Sequence, residues 1–301
     1  MTKTLSGVIA AVATPIDESG APDLKRATDL AKHLLDNGCD GLNVLGSTGE
    51  ATSFSVDERK AVMDAYKKNG VAMDRLMVGT GAASVTDAVT LTRHAAELGF
   101  AGALVLPPFY YKGVTDDGLA DYIGALVKAT EASKLPIYLY HYPQLTGILW
   151  NVPLIERLRK SFPGRIVGLK DSSGDMAFAR AAAAIGKNGD FDFAVFPSTE
   201  ACLLDARKGE FAGCISATAN LNADLCQRAF AAGDAAAYEA AVAIRKLFEG
   251  RPLVPGVKTL LAHIQNDPAL ARVRPPLAAV SSADRAAITG GYDVIRAKRV
   301  A

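Results

Sequence analysis

Cysteine is scarce in this chain and widely spaced. Cys39, Cys202, Cys214 and Cys226 are the only four, with no Cys-x-x-Cys pair and no histidine spaced beside them. That excludes a disulfide scaffold and a zinc site of ordinary ligand spacing, and it predicts reduced, mostly buried thiols. An excess of charge of either sign is also missing: 33 Lys plus Arg face 32 Asp plus Glu, for a net charge of +1. The electrostatic footprint that a phosphate backbone requires is therefore absent, and no nucleic acid partner is expected. No run approaches the ~18 apolar residues of a membrane span, and the opening residues lack both a long apolar stretch and a small-residue cleavage site. These absences lead to the expectation of a cytoplasmic protein without membrane contact.

What is present is repetition. Short runs rich in Val, Ile and Leu recur eight times: GVIAAVATP from Gly7, GLNVLG from Gly41, RLMVGTG from Arg75, GALVLPP from Gly102, PIYLYHYP from Pro136, IVGLKDSS from Ile166, DFAVFPS from Asp192 and GCISATAN from Gly213. Amphipathic helical patterns lie between them, at 22–37, 55–69, 84–98, 115–132 and 151–160. Ser55 with Glu58 three residues on reads as a capping box. Continuous rather than alternating apolarity marks strands buried on both faces, as parallel strands covered by helices must be. Eight such units predict an α/β fold, a closed (β/α)₈ TIM barrel, over residues 1–221. An open doubly wound sheet is disfavoured because no G-x-G-x-x-G follows the first strand. Beyond Asn220 only helical patterns remain, at 234–249, 254–265 and 282–298, broken at 250–256 and 274–276. Residues 222–301 are thus expected to form a helical extension packed on the barrel.

In such a barrel the chemistry sits at the carboxyl ends of the strands. That filter leaves Thr14, the turn 46–50, residues 107–111 and 138–142, Lys170 with Asp171, residues 198–200 and residues 216–220. Lys170 ends an otherwise apolar strand. An ammonium there either snorkels to the rim or, desolvated, becomes a neutral amine able to attack a ketone and form a Schiff base. Tyr140 ends the preceding strand, and a phenol beside an iminium suits proton transfer. Tyr138, Tyr140 and Tyr142 share a face by period two, however, and the pattern does not choose among them. Gly46-Ser-Thr-Gly-Glu50 is either an ordinary glycine-rich turn or a concavity of N–H and hydroxyl groups for a carboxylate. Of the histidines, His33 and His94 fall in helical patterns, His263 in the tail, and only His141 at a strand end, so metal catalysis is not expected. No nucleophile elbow G-x-S-x-G stands at a strand-to-helix turn. A covalent lysine without any cofactor is the simplest chemistry these residues offer.

Four motifs in order, GSTGE after the second strand, PFYY after the fourth, YLYHYP ending the fifth and GLKDSSGD around the sixth, resemble the dihydrodipicolinate synthase and N-acetylneuraminate lyase family over essentially the whole chain. The resemblance implies a Schiff-base lyase acting on pyruvate or another 2-oxo acid. It makes Lys170 the imine-forming lysine and Tyr140 the general acid and base. It places Ser47 and Thr48 at the carboxylate site, with Thr48 relaying protons from Tyr140. It gives Tyr110 to a neighbour's site across a dimer interface, in a homotetramer built as a dimer of dimers. Ser198, Glu200, Ile215 and Leu145 would complete the substrate pocket.

Departures from the family pattern bear on substrate. Leu145 stands where the synthases carry an arginine that holds the second substrate's carboxylate. Residues 196–201 lack the Gly and paired acids that neuraminate lyases use; Ser198 replaces that Gly, Ala217 replaces a Ser, and Glu200 remains to bind hydroxyls. His141 replaces the usual Asn. The expected activity is aldol cleavage or dehydration of a 2-oxo-3-deoxy sugar acid or related 4-hydroxy-2-oxo acid. The alternatives are a synthase condensing pyruvate with aspartate semialdehyde and a barrel that binds a 2-oxo acid without turnover.

Overall fold

The computed structural model describes residues 4–187 and 193–298. Eight parallel strands follow one another around the sheet: β1 (Gly7–Ala11), β2 (Gly41–Val44), β3 (Leu76–Gly79), β4 (Gly102–Val105), β5 (Ile137–His141), β6 (Ile166–Asp171), β7 (Ala194–Pro197) and β8 (Gly213–Ser216). Each strand from β1 to β6 pairs with its successor, β1 also pairs with β8, and the Ala212 amide donates to the Val195 carbonyl at 3.0 Å across the remaining seam between β7 and β8. The architecture is the (β/α)₈ barrel expected from the runs. The residue that opens the seventh run, Asp192, lies outside the described residues.

The strands read as continuous apolar runs because they have two buried faces. Inside the barrel lie Ile9, Ala11, Met77, Leu104, Tyr138 and Phe196, whereas Val8, Ala10, Ile137 and Leu139 face the outer layer. Tyr138 plugs the interior, its hydroxyl accepting from the Leu5 amide at 3.3 Å. Room for its ring comes from Gly102 and Gly168, where a Cβ would stand 2.6 Å from ring carbons.

The outer layer consists of α1 (Leu24–Asp36), α2 (Val56–Lys68), α3 (Val85–Leu98), α4 (Asp116–Ala129), α5 (Pro143–Thr146), α6 (Val152–Ser161), α7 (Met176–Lys187) and α8 (Leu203–Arg207). The capping box opening α2 is formed: Glu58 N–H donates to Ser55 Oγ at 3.2 Å and Ser55 N–H to Glu58 Oε2 at 2.7 Å. After β8 come α9 (Ala219–Gln227), α10 (Ala235–Lys246), α11 (Leu253–Gln265) and α12 (Ser282–Ala297). These helices do more than cover the barrel wall, for α10 and α11 reach its carboxyl-end mouth. Among the described residues no helix is long and apolar enough to cross a membrane, and no group of His, Cys, Asp and Glu could hold a metal ion. All four cysteines are buried free thiols.

Candidate active site

A cavity of about 940 Å³ opens at the carboxyl ends of the strands. Lys170 and Tyr140 stand in register on adjacent strands β6 and β5, and the Lys170 ammonium nitrogen sits 4.4 Å from the Tyr140 ring centroid. Both side chains are 3% exposed and line the cavity. Burial, reinforced by the positive charge of Arg245, pulls the Lys170 amine down to about 7. Near neutral pH a substantial fraction is then the free amine, the form able to attack a carbonyl. Burial pushes the Tyr140 phenol up, with the Ser172 and Ser47 hydroxyls opposing, so it is a neutral acid at rest.

The structure separates the three strand-five tyrosines that period two left equivalent. Tyr138 is the plug below the site, Tyr140 lies beside Lys170, and Tyr142 lines the cavity wall with its ring 5.8 Å from that of Tyr140. His141 points the other way, packing its ring 4.6 Å from that of Phe178 and accepting the Trp150 amide on Nδ1 at 3.2 Å. Burial lowers its imidazole to about 4, so it is a neutral packing residue.

The turn after β2 is fixed from below and from the side. Glu50 takes a left-handed backbone, φ 55°, with its carboxylate fully buried. One oxygen accepts from Lys258 of α11 at 2.5 Å and the other from the Arg274 amide at 2.7 Å. Lys258 also donates to the Thr14 carbonyl at 2.9 Å, and the Thr14 hydroxyl to the Gly49 carbonyl at 2.8 Å. Thr14 and Glu50 therefore hold the turn in place while Ser47 and Thr48 face the cavity. Of the two hydroxyls in this turn, the one against the Tyr140 phenol is that of Ser47, at 3.3 Å, rather than that of Thr48, to which the resemblance gave the relay. The two differ by one position in a turn whose path the sequence pattern does not define.

Other expected residues divide. Ser198, Ile215 and Leu145 line the cavity, with Ser198 Oγ 2.6 Å from Ser172 Oγ and Leu145 60% exposed at the rim. Glu200 does not reach it. Its side chain is fully buried behind the wall, with Oε1 accepting from Ser216 at 2.7 Å and from Thr218. The expectation that it binds substrate hydroxyls is thus replaced by a role supporting the β8 end. Tyr110 is 73% exposed, rests edge-on against Tyr111 with ring centroids 5.2 Å apart, and stays outside the cavity of its own chain.

One residue escaped the sequence reading. Arg245 belongs to α10, in the helical tail, yet lines the cavity near Lys170. No motif marks it. In sequence it is one basic residue in the last turn of an amphipathic helix, a position that usually faces solvent.

A desolvated lysine beside a phenol, at the carboxyl mouth of a (β/α)₈ barrel, defines a lysine Schiff-base lyase or synthase. Comparison with known proteins narrows that class. The Dihydrodipicolinate synthetase family profile matches residues 4–290. A DapA-like lyase of Chloroflexus aurantiacus is 32% identical over 97% of both chains. A 4-hydroxy-tetrahydrodipicolinate synthase of Moorella thermoacetica is 33% identical over 80% of both. The crystal structure of dihydrodipicolinate synthase from Agrobacterium tumefaciens superposes with a TM-score of 0.89 at 30% identity, covering 97% of this chain and 99% of that one. The chain belongs to the dihydrodipicolinate synthetase family and is an enzyme of its lysine Schiff-base type.

Proposed function

We propose that the protein cleaves or dehydrates a 2-oxo-3-deoxy sugar acid or a related 4-hydroxy-2-oxo acid through an imine on Lys170. The observation that carries this reading is a buried lysine, depressed toward neutrality, facing a cavity beside a phenol in register with it. The Lys170 amine adds to the C2 ketone, water leaves, and the resulting iminium draws electrons from the C3–C4 bond. Tyr140 takes the C4 hydroxyl proton as that bond breaks. A phenol held neutral by burial is not a standing base, so it gives up its own proton along the bond to Ser47. The aldehyde departs, the enamine takes back at C3 the proton relayed through Tyr140 and Ser47, and water hydrolyses the imine to release pyruvate and the free amine. In dehydration the same iminium instead loses a proton from C3, and the enamine electrons expel the C4 hydroxyl, which leaves as water with a proton from Tyr140.

Ser47, Thr48 and the amides of their turn hold the C1 carboxylate, while Ser198, Ile215 and Leu145 shape the rest of the pocket. Tyr110, exposed on its own subunit, serves the site of a second copy in a cytoplasmic homotetramer. The barrel of residues 1–221 supplies the imine chemistry, and the extension 222–301 completes the mouth. Likeness to synthases favours a second reading, condensation of pyruvate with aspartate semialdehyde. Incubation with pyruvate and borohydride followed by peptide mass measurement tests the common step: an adduct on Lys170 is expected. Wild-type protein that gives none with pyruvate or with longer 2-oxo acids would leave only a binding role. Pyruvate release from a panel of 4-hydroxy-2-oxo acids, set against coupled turnover with aspartate semialdehyde, then separates lyase from synthase.

A further inference from the structure

The cations in the cavity wall and just behind it are unequally matched. Lys258 is paired with Glu50 at 2.5 Å, and Arg180 with Asp205 at 3.2 Å and Glu210 at 3.1 Å. Arg245 has no carboxylate within 4.0 Å among the described residues, and its one hydrogen bond is a long one, 3.5 Å, to Ser216 Oγ. Glu200 lies beyond that serine, spending one oxygen on Ser216 and Thr218. A half-buried guanidinium without a counter-ion also stands close enough to Lys170 to oppose its protonation. Such an arrangement is unfavourable in the empty protein and becomes favourable when an anion enters.

The position of this charge bears on substrate. The C1 carboxylate is assigned to the turn after β2, whereas Arg245 enters beside Ser216 at the end of β8. At the rim, where the synthases place an arginine, this chain has the apolar Leu145. The cationic side chain that lacks a partner is therefore supplied from a different element, α10. Resting on the imine reading above, we propose that Arg245 binds a second anionic group at the far end of the substrate, so that the protein acts on 2-oxo acids carrying a distal carboxylate or phosphate rather than on neutral-ended ones. This class includes the product of condensation with aspartate semialdehyde, which bears two carboxylates.

The test compares two acids of equal chain length, 2-oxoglutarate and 2-oxopentanoate, which differ in a distal carboxylate against a methyl group. Half-saturating concentrations for borohydride trapping, and dissociation constants from calorimetry, are measured for the wild type, Arg245→Met and Arg245→Lys. The wild type is expected to prefer 2-oxoglutarate at least about tenfold, as a charge-assisted contact supplies. Arg245→Met should abolish that preference, and Arg245→Lys should restore part of it. The corresponding 4-phosphono-2-oxobutanoate distinguishes the sources of the anion, a stronger Arg245-dependent preference assigning phosphate. No wild-type preference, or an equal loss for both acids in Arg245→Met, overturns the proposal. Calorimetry reads the preference even where no covalent adduct forms, so failure of the imine and failure of the anion site give different results.

Discussion

The proposed chemistry puts two opposite obligations on Lys170: it must be buried enough to shed its proton and open enough to meet a ketone. Its position 4.4 Å over the Tyr140 ring, at the floor of the cavity, meets both. With the amine at about 7, the rate of imine formation with pyruvate should rise up to that pH and level off above it, whereas an ordinary lysine would keep climbing toward 10. Stopped-flow borohydride trapping from pH 5 to 10 checks this. Stability follows the same shift. Because the folded value lies below the unfolded one, the unfolded chain binds the extra proton between about pH 7 and 10.5, and stability rises with pH across that window. Lys170→Met should accordingly be more stable than the wild type at pH 6 in urea melts, with the gap closing as pH rises through the window, and it should be devoid of turnover. Tyr140→Phe should still form the pyruvate adduct but lose about 10²–10⁴-fold in turnover, the usual contribution of a positioned acid–base group. Equal loss of adduct and turnover would instead make the tyrosine a packing residue.

Elements are where the sequence spoke most clearly and also where it fell silent. Strands were legible because burial on both faces leaves continuous runs, and Ser55 with Glu58 announced α2 because capping is local chemistry. The pairing of Glu50 with Lys258 was not legible, since the two are 208 residues apart and each looks like an ordinary surface charge. Arg245 was missed for the same reason: helix periodicity shows which stripe is polar, not that the stripe faces a cavity. Glu200 follows β7 and so falls among the strand-end candidates, but the short helix beginning there turns its carboxylate toward Ser216 and Thr218. The Glu50–Lys258 tie makes a definite claim at this scale. Lys258→Met strands a buried carboxylate and should cost about 3–5 kcal/mol, while the double change with Glu50→Leu should recover much of that loss. Chemical denaturation of the four proteins in the cycle measures it. Because the tie holds the turn bearing Ser47 and Thr48, Lys258→Met should also raise KM for the 2-oxo acid.

For the whole molecule the fold followed from counting runs, whereas closure of the seam by Ala212 and Val195 and the part taken by the tail are long-range facts with no local pattern. Assembly is the corresponding prediction. The proposed exchange of Tyr110 between copies implies that Lys170→Ala and Tyr110→Ala subunits, each impaired alone, regain activity when unfolded together and refolded as a mixture, since one site in a mixed pair then holds both native residues. Equal impairment in the mixture would confine Tyr110 to its own chain. The Lys258 anchor has a consequence in time as well as in space. On the ribosome Lys170 emerges long before α11, and until α11 docks, Glu50 lacks its cation and the turn after β2 its brace. The Lys170 amine is thus made early, whereas the turn beside it is braced only once the helices that follow the barrel have docked.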